Sequence, residues 1–142
     1  MQNGKPKRIL VLEDRDEMRK FIVNALTAEG YDVHVPVDSF VALSLARQQP
    51  FDLVTVDLVM PLVDGATFLQ ALRDMDIHIP AVVITGYSTG PKIEAIRQMG
   101  VRHILTKPFR LEDLFKAVRE MLGEDDPDRG GGSGAAPTPA ET

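Results

Sequence analysis

The sequence predicts an α/β protein, a parallel five-stranded sheet with helices on both faces. Three observations carry this. Short apolar runs of strand length alternate with longer segments whose apolar residues recur at helical spacing. The runs Ile9–Leu12, Leu53–Val56 and Ala81–Ile84 are continuously apolar, as strands buried on both faces are. Glycine and proline punctuate the joins, at Gly30, Pro36, Pro50, Gly100 and Gly123.

Taken in order, Arg8–Leu12 reads as a buried strand. Residues 15–29 then carry Met18, Phe21, Ile22, Ala25 and Leu26 at helical spacing, and Gly30 stops the helix. Tyr31–Val35 reads as a more polar strand, ended by Pro36. Its alternation puts Asp32 and His34 on one face, which marks an edge strand. Asp38 or Ser39 caps a helix through Gln48 with Val41, Ala42 and Leu45 inward. Leu53–Val56 is the third strand. A loop through Pro61 and Asp64-Gly65 leads to a helix from about Ala66 to Asp74, with Phe68, Leu69 and Leu72 inward. Ala81–Ile84 is the fourth strand. Pro91 suits the first turn of a helix that carries Ile93 and Ile96 and stops at Gly100. Val101–Leu105 is the fifth strand. The last helix, 110–122, places Leu111, Leu114, Phe115, Val118 and Leu122 on one stripe, and Gly123 ends it.

Crossovers between parallel strands are right-handed. The first and third strands both end in acids, so they are placed side by side at the topological switch point. That gives a flavodoxin-like, doubly wound (βα)5 fold with strand order 2-1-3-4-5.

The chain has 142 residues, 44% of them hydrophobic, which suffices for one domain with a genuine core. A net charge of -5 and no basic run beyond Lys5-Pro6-Lys7-Arg8 argue against nucleic-acid binding. Without cysteine there is neither a disulfide nor a thiolate metal site. No apolar stretch has the length of a signal peptide core or a membrane span, so a cytoplasmic protein is expected. Residues 1–6 read as an N-terminal tail and 7–123 as the domain. Residues 124–142 begin with acids and continue into Gly130-Gly131-Gly132-Ser133-Gly134. Such a segment buries too little apolar surface to offset the entropy of ordering, and disorder is expected there.

The strand ends hold the candidate chemistry. Glu13-Asp14 follows the first strand, Asp57 the third, Thr85 the fourth and Lys107-Pro108 the fifth. In a parallel sheet these gather at the carboxyl edge, where open α/β sheets bind ligands. Crowded carboxylates repel one another unless a cation sits among them. Glu13, Asp14 and Asp57 are therefore candidate ligands for Mg²⁺, which needs only one or two carboxylates beside waters and phosphate. Asp57 beside a cation and a lysine is a candidate nucleophile towards phosphorus. Thr85 offers a hydroxyl to a phosphoryl oxygen, and Lys107 a point charge. Each residue has a plain structural reading as well. Glu13 and Asp14 suit a helix N-terminus, and Asp57 and Thr85 suit strand ends in solvent. Lys107 fits worse there, because a cation near a helix start is disfavoured. A cis bond before Pro108 would fix how the lysine enters the site.

Together the motifs Ile9-Leu10-Val11-Leu12-Glu13-Asp14, Asp57-Leu58-Val59-Met60-Pro61 with Asp64-Gly65, Ile84-Thr85-Gly86 and Thr106-Lys107-Pro108-Phe109 resemble the receiver domain of bacterial two-component response regulators. The resemblance covers about Lys7 to Gly123. It implies a signalling switch, which catalyses only its own phosphorylation and dephosphorylation. Asp57 would accept a phosphoryl group from a sensor histidine kinase or phosphotransfer protein. Asp14, Asp57 and the Val59 carbonyl would bind Mg²⁺ directly, and Glu13 through water. Thr85 and Lys107 would contact the phosphoryl group. The surface of the fourth helix, fifth strand and fifth helix would then change for a downstream protein, an output domain or a phosphorylation-dependent homodimer.

Three departures from the family pattern stand out. Glu13 replaces the more usual Asp of the acidic pair. Ile104 stands where many relatives carry Tyr or Phe, so the ring that swings inward with the threonine is missing. Val59 and Tyr87 hold positions that tune phosphoryl lifetime in the family, and both are expected to shield an acyl phosphate from water. Two alternatives remain. A phosphatase with an Asp nucleophile wants a second Asp where Val59 stands. A phosphorylation-independent binding module would have no need to retain all five site residues. His34, His78 and His103 lack metal-ligand spacing, and His103 reads as a strand residue facing a helix.

Overall fold

The computed structural model describes residues 5–60, 64–86 and 89–124. The elements are β1 (Arg8–Leu12), α1 (Asp16–Ala28), β2 (Asp32–His34), α2 (Ser39–Gln48), β3 (Leu53–Asp57), α3 (Gly65–Asp74), β4 (Ala81–Thr85), α4 (Pro91–Gln98), β5 (His103–Thr106) and α5 (Leu111–Leu122). All strand pairs are parallel, and the order is β2-β1-β3-β4-β5, as the placement of the acidic strand ends required. The segment after Glu124, together with residues 1–4 and Tyr87, lies outside the described residues.

The sheet is covered on both faces. One face of β1, β3 and β4 (Leu10, Leu12, Val54, Val56, Val83) meets Ala42 and Ala46 of α2, Phe68, Leu69 and Leu72 of α3, and Ile93 and Ile96 of α4. The other face (Ile9, Val11, Leu53, Val82, Ile84) meets Ile22 and Leu26 of α1 and Leu114, Ala117 and Val118 of α5. Each fully buried aliphatic side chain stabilises the fold by about 1.5–3 kcal/mol, so these two layers dominate its energetics. Thr55 shares the face of Leu53 by alternation and is buried. Its hydroxyl has no hydrogen-bond partner among the described residues.

Several boundaries and faces differ from expectation. Val41 and Leu111 are each 38% exposed and not inward. In α2 Ala42 faces the sheet as expected, joined by Ala46 rather than Val41, because Asp38, accepting from the Val41 N–H at 2.9 Å, fixes where the helix starts and hence its phase. In α5 the start is Arg110, whose N–H donates to Asp113, so Leu111 lies in the first turn and outside the core. Strand β5 begins at His103, because Val101 still closes α4 by donating to the Ile96 carbonyl. Strand β2 is three residues long and begins at Asp32, because the Tyr31 N–H is taken by the Leu26 carbonyl. It is an edge strand as predicted. Arg8 gathers its polar groups: the guanidinium lies 3.6 Å from Asp32, donates to the Pro50 carbonyl and to Gln49, and covers the Phe51 ring. His34 lies 3.2 Å from Asp32 and edge-on to Phe51.

One glycine positions the site. A Cβ at Gly65 would lie 2.5 Å from the Asp57 carbonyl oxygen and 2.5 Å from a Val56 methyl. Only a bare Cα lets α3 begin this close to the end of β3, where the Gly65 N–H donates to the Leu58 carbonyl at 3.2 Å. Gly65→Ala should destabilise the domain by about 1–3 kcal/mol through overpacking against backbone. Urea denaturation at neutral pH measures this, and an unchanged midpoint would show that the α3 start gives way freely.

Candidate functional site

The register of the sheet assembles the site. Leu12 pairs with Val56 and Asp57 with Ile84, so Glu13 and Asp57 leave β1 and β3 at the same level. Thr85 pairs with Thr106, which puts Lys107 one step beyond β4. The Lys107 N–H donates to the Thr85 carbonyl at 2.7 Å and fixes where the lysine leaves the sheet. The Lys107–Pro108 bond is cis.

From there the lysine reaches across the edge. Its Nζ lies 3.1 Å from Asp57 Oδ2 and 3.4 Å from Glu13 Oε1. Asp57 Oδ1 accepts from the Val59 N–H at 3.0 Å, and Glu13 Oε2 from the Arg15 N–H at 3.2 Å. Asp57, Glu13 and Thr85 are buried, whereas Asp14 is exposed at the mouth. Val59 is 56% exposed beside Asp57. Ile104 sits on β5, partly buried, and packs against the α2–α3–α4 layer.

Carboxylate oxygens of Glu13, Asp14 and Asp57 come within 4.8 Å of one another. All three donors are hard oxygens, the set that Mg²⁺ or Ca²⁺ takes. The electrostatics fit a cation. Burial and the neighbouring Asp57 charge push the Glu13 carboxyl up to about 6, although the Arg15 N–H and the Lys107 ammonium pull the other way. One ammonium therefore does not offset what burial and the Asp57 charge cost the Glu13 carboxylate.

Sequence reasoning missed one supporting residue here. Arg19 directs its guanidinium at the carbonyls of Glu13 and Asp14, 3.4 Å from each, and pairs with Asp16. Its spacing of three from Asp16 was legible as a helix-surface pair, but its reach back to the acidic turn was not. His103 faces α5 as expected, 3.4 Å from Glu120.

A doubly wound parallel sheet with an acid cluster, a threonine and a lysine at its carboxyl edge defines a receiver-like protein. The comparisons agree. Residues 9–119 match the response regulator receiver domain family. The response regulator receiver protein CpdR of Brucella abortus is 35% identical over 119 residues, covering 82% of this chain and 97% of that protein. The response regulator MprA of Mycolicibacterium vanbaalenii is 34% identical over 133 residues, 94% of this chain. The chain spans only 58% of the length of MprA. Among solved structures, the chemotaxis protein CheY4 of Vibrio cholerae superposes with a TM-score of 0.76 at 27% identity, covering 82% of this chain and 99% of that one. The chain belongs to the response regulator receiver domain family.

The raised Glu13 carboxyl has a pH signature. Below about 4.5, its ordinary value, the group is protonated folded or unfolded and has no effect on stability. Between there and about 6 the unfolded chain ionises first, and stability falls as pH rises. The full loss is on the order of 2 kcal/mol. Without divalent cation, Glu13→Gln should therefore gain stability over the wild type at pH 7 and little at pH 4.5. Urea titrations at both values test this, and the same difference at both would show that the carboxyl is unstrained.

Proposed function

We propose that the chain is a phosphorylation-activated signalling switch, with Asp57 as the residue that takes the phosphoryl group. The observation that carries the reading is the carboxylate of Asp57, buried at a strand end between the Lys107 ammonium and the acids Glu13 and Asp14. A phosphohistidine of a sensor kinase or phosphotransfer protein is the donor. An Asp57 oxygen attacks phosphorus, the phosphorus–nitrogen bond breaks, and the imidazole leaves with a proton. Such a transfer is mainly positioning and charge neutralisation, and Lys107 is placed for both.

The residues present fit Mg²⁺. Asp14, Asp57 and the Val59 carbonyl would hold it directly and Glu13 through water, and the ion would supply the charge that brings an anionic donor to buried carboxylates. Thr85, buried at the end of β4, would donate its hydroxyl to the phosphoryl group. The added charge of about -1.5 to -2 draws the Thr85 segment inward and shifts a two-state equilibrium in α4, β5 and α5. A downstream partner, an output domain or a second phosphorylated copy reads that surface. No helix among the described residues is long and apolar enough to cross a membrane.

Incubation with acetyl phosphate and Mg²⁺ should label the wild type. Asp57→Asn should remove the label and chelation of Mg²⁺ should suppress it. Equal labelling of wild type and Asp57→Asn would reject the assignment.

Val59 stands half-exposed at the mouth, where its apolar side chain screens an acyl phosphate from water. Val59→Asn, which admits water and a polar group, should shorten the phosphoryl half-life severalfold, on the order of 1 kcal/mol in the barrier. Following loss of label after donor removal tests this, and a half-life no shorter than that of the wild type would refute the shielding role. Tyr87, the companion position, lies outside the described residues.

A further inference from the structure

Exposed apolar surface gathers in one place on this molecule. Among the described residues seven large apolar side chains are exposed, and four of them, Val35, Val37, Phe40 and Val41, fall within seven consecutive positions. Val37 is 86% exposed and Phe40 58%. They run from the loop after β2 into the first turn of α2. A contiguous apolar patch of this kind marks a surface that meets another protein.

Helix α2 is also short of charge. From Ser39 to Ala46 it has none, and Arg47 is its one charged residue. Helices α1 and α5 differ. The first carries Asp16, Glu17, Arg19 and Lys20, and the second Glu112, Asp113, Lys116, Arg119 and Glu120. The outer positions of α2 follow the helical period: Phe40, Val41, Ser44, Arg47 and Gln48 are exposed, while Ala42 and Ala46 face the sheet. Polar groups on this face turn towards each other, for Gln48 Nε2 donates to Ser44 Oγ at 2.9 Å.

A strongly charged partner finds little to pair with on such a face, but a second copy of it does. Its two ends carry opposite charges, Asp38 at the cap and Arg47 in the last turn. Two such helices can lie antiparallel across a two-fold axis near residues 42 and 43. Each Arg47 then meets the Asp38 of the other copy. The same register sets Phe40 and Val41 of one copy against Leu45 and the small Ser44 of the other, which suits ridges packing into grooves. A parallel pairing instead opposes Asp38 to Asp38 and Arg47 to Arg47.

We propose that this face of α2 is a contact between two copies of the chain, antiparallel and two-fold, made without phosphorylation. The surface of α4, β5 and α5 takes no part in it. A stable interface buries about 800 Å² per partner, and a patch of four side chains supplies roughly half of that. The contact is therefore transient, with a dissociation constant on the order of 100 μM.

Sedimentation of the full chain without a phosphoryl donor reads this contact. Between about 10 μM and about 1 mM, the weight-average mass should rise towards twice that of the monomer. Phe40→Asp should stay monomeric throughout, with an unchanged urea midpoint because the side chain is exposed. Arg47→Glu sets like charges together at both ends of the face and should weaken association about two- to fivefold. Adding Asp38→Asn, which keeps the cap, should recover most of that loss. The chain has no cysteine, so Ser44→Cys gives each copy a single thiol. A short bismaleimide should link two such copies, and should not link Lys116→Cys on α5. Asp57→Asn should associate as the wild type does. A wild type that stays monomeric at the highest concentration assigns the patch to a different protein and overturns the proposal. So does undiminished association of Phe40→Asp or Arg47→Glu, preferential linking at position 116, or association that needs a phosphoryl donor. None of these outcomes bears on Asp57 as the phosphoryl acceptor, which labelling with acetyl phosphate tests separately.

Discussion

The reach of Lys107 across the sheet edge is the interaction on which the site depends. Two carboxylates, Glu13 and Asp57, are buried there, and their mutual repulsion is strong because little water screens it. The ammonium offsets part of that repulsion from 3.1 and 3.4 Å. It is delivered by parallel register: the Lys107 N–H meets the Thr85 carbonyl, so the outermost strand feeds charge to the centre of the sheet. Burial, together with the Asp57 charge, keeps the Glu13 carboxyl raised despite that compensation. A site under this tension favours whatever brings positive charge to it.

Much of this was legible in the sequence because parallel sheets have few solutions. Once Ile9–Leu12, Leu53–Val56 and Ala81–Ile84 read as doubly buried strands, alternation and handedness left few arrangements. The acidic ends then chose among them, and the observed order agrees. The strand-end residues came to one edge for the same reason. Helix faces were less legible. Val41 and Leu111 are apolar and lie at plausible spacing, yet both are exposed, because caps set by Asp38 and Asp113 decide where each helix starts. Side chains that act over long sequence distance, such as Lys92 on Asp64 and Arg73 on Met99, leave no periodic signal at all.

Helix α3 emerges as more than a layer of the core. Its first residue touches the backbone of Asp57, its cap holds the start of α4, and its last turn holds the end of α4. Phe68, Leu69 and Leu72 bury it firmly against the sheet. Helix α3 thus links the backbone beside the acid cluster to both ends of α4.

The edge strand β2 has a consequence of another kind. An open sheet edge is a template for a stray strand from a neighbouring chain, and proteins blunt such edges with brevity and charge. Here β2 is three residues long, and Asp32 and His34 stand on it with the Arg8 guanidinium alongside. A strand docking there would find only a few backbone partners and would have to displace an ionic cluster. The polar character that marked this segment as an edge also guards the protein against growth into a continuous intermolecular sheet.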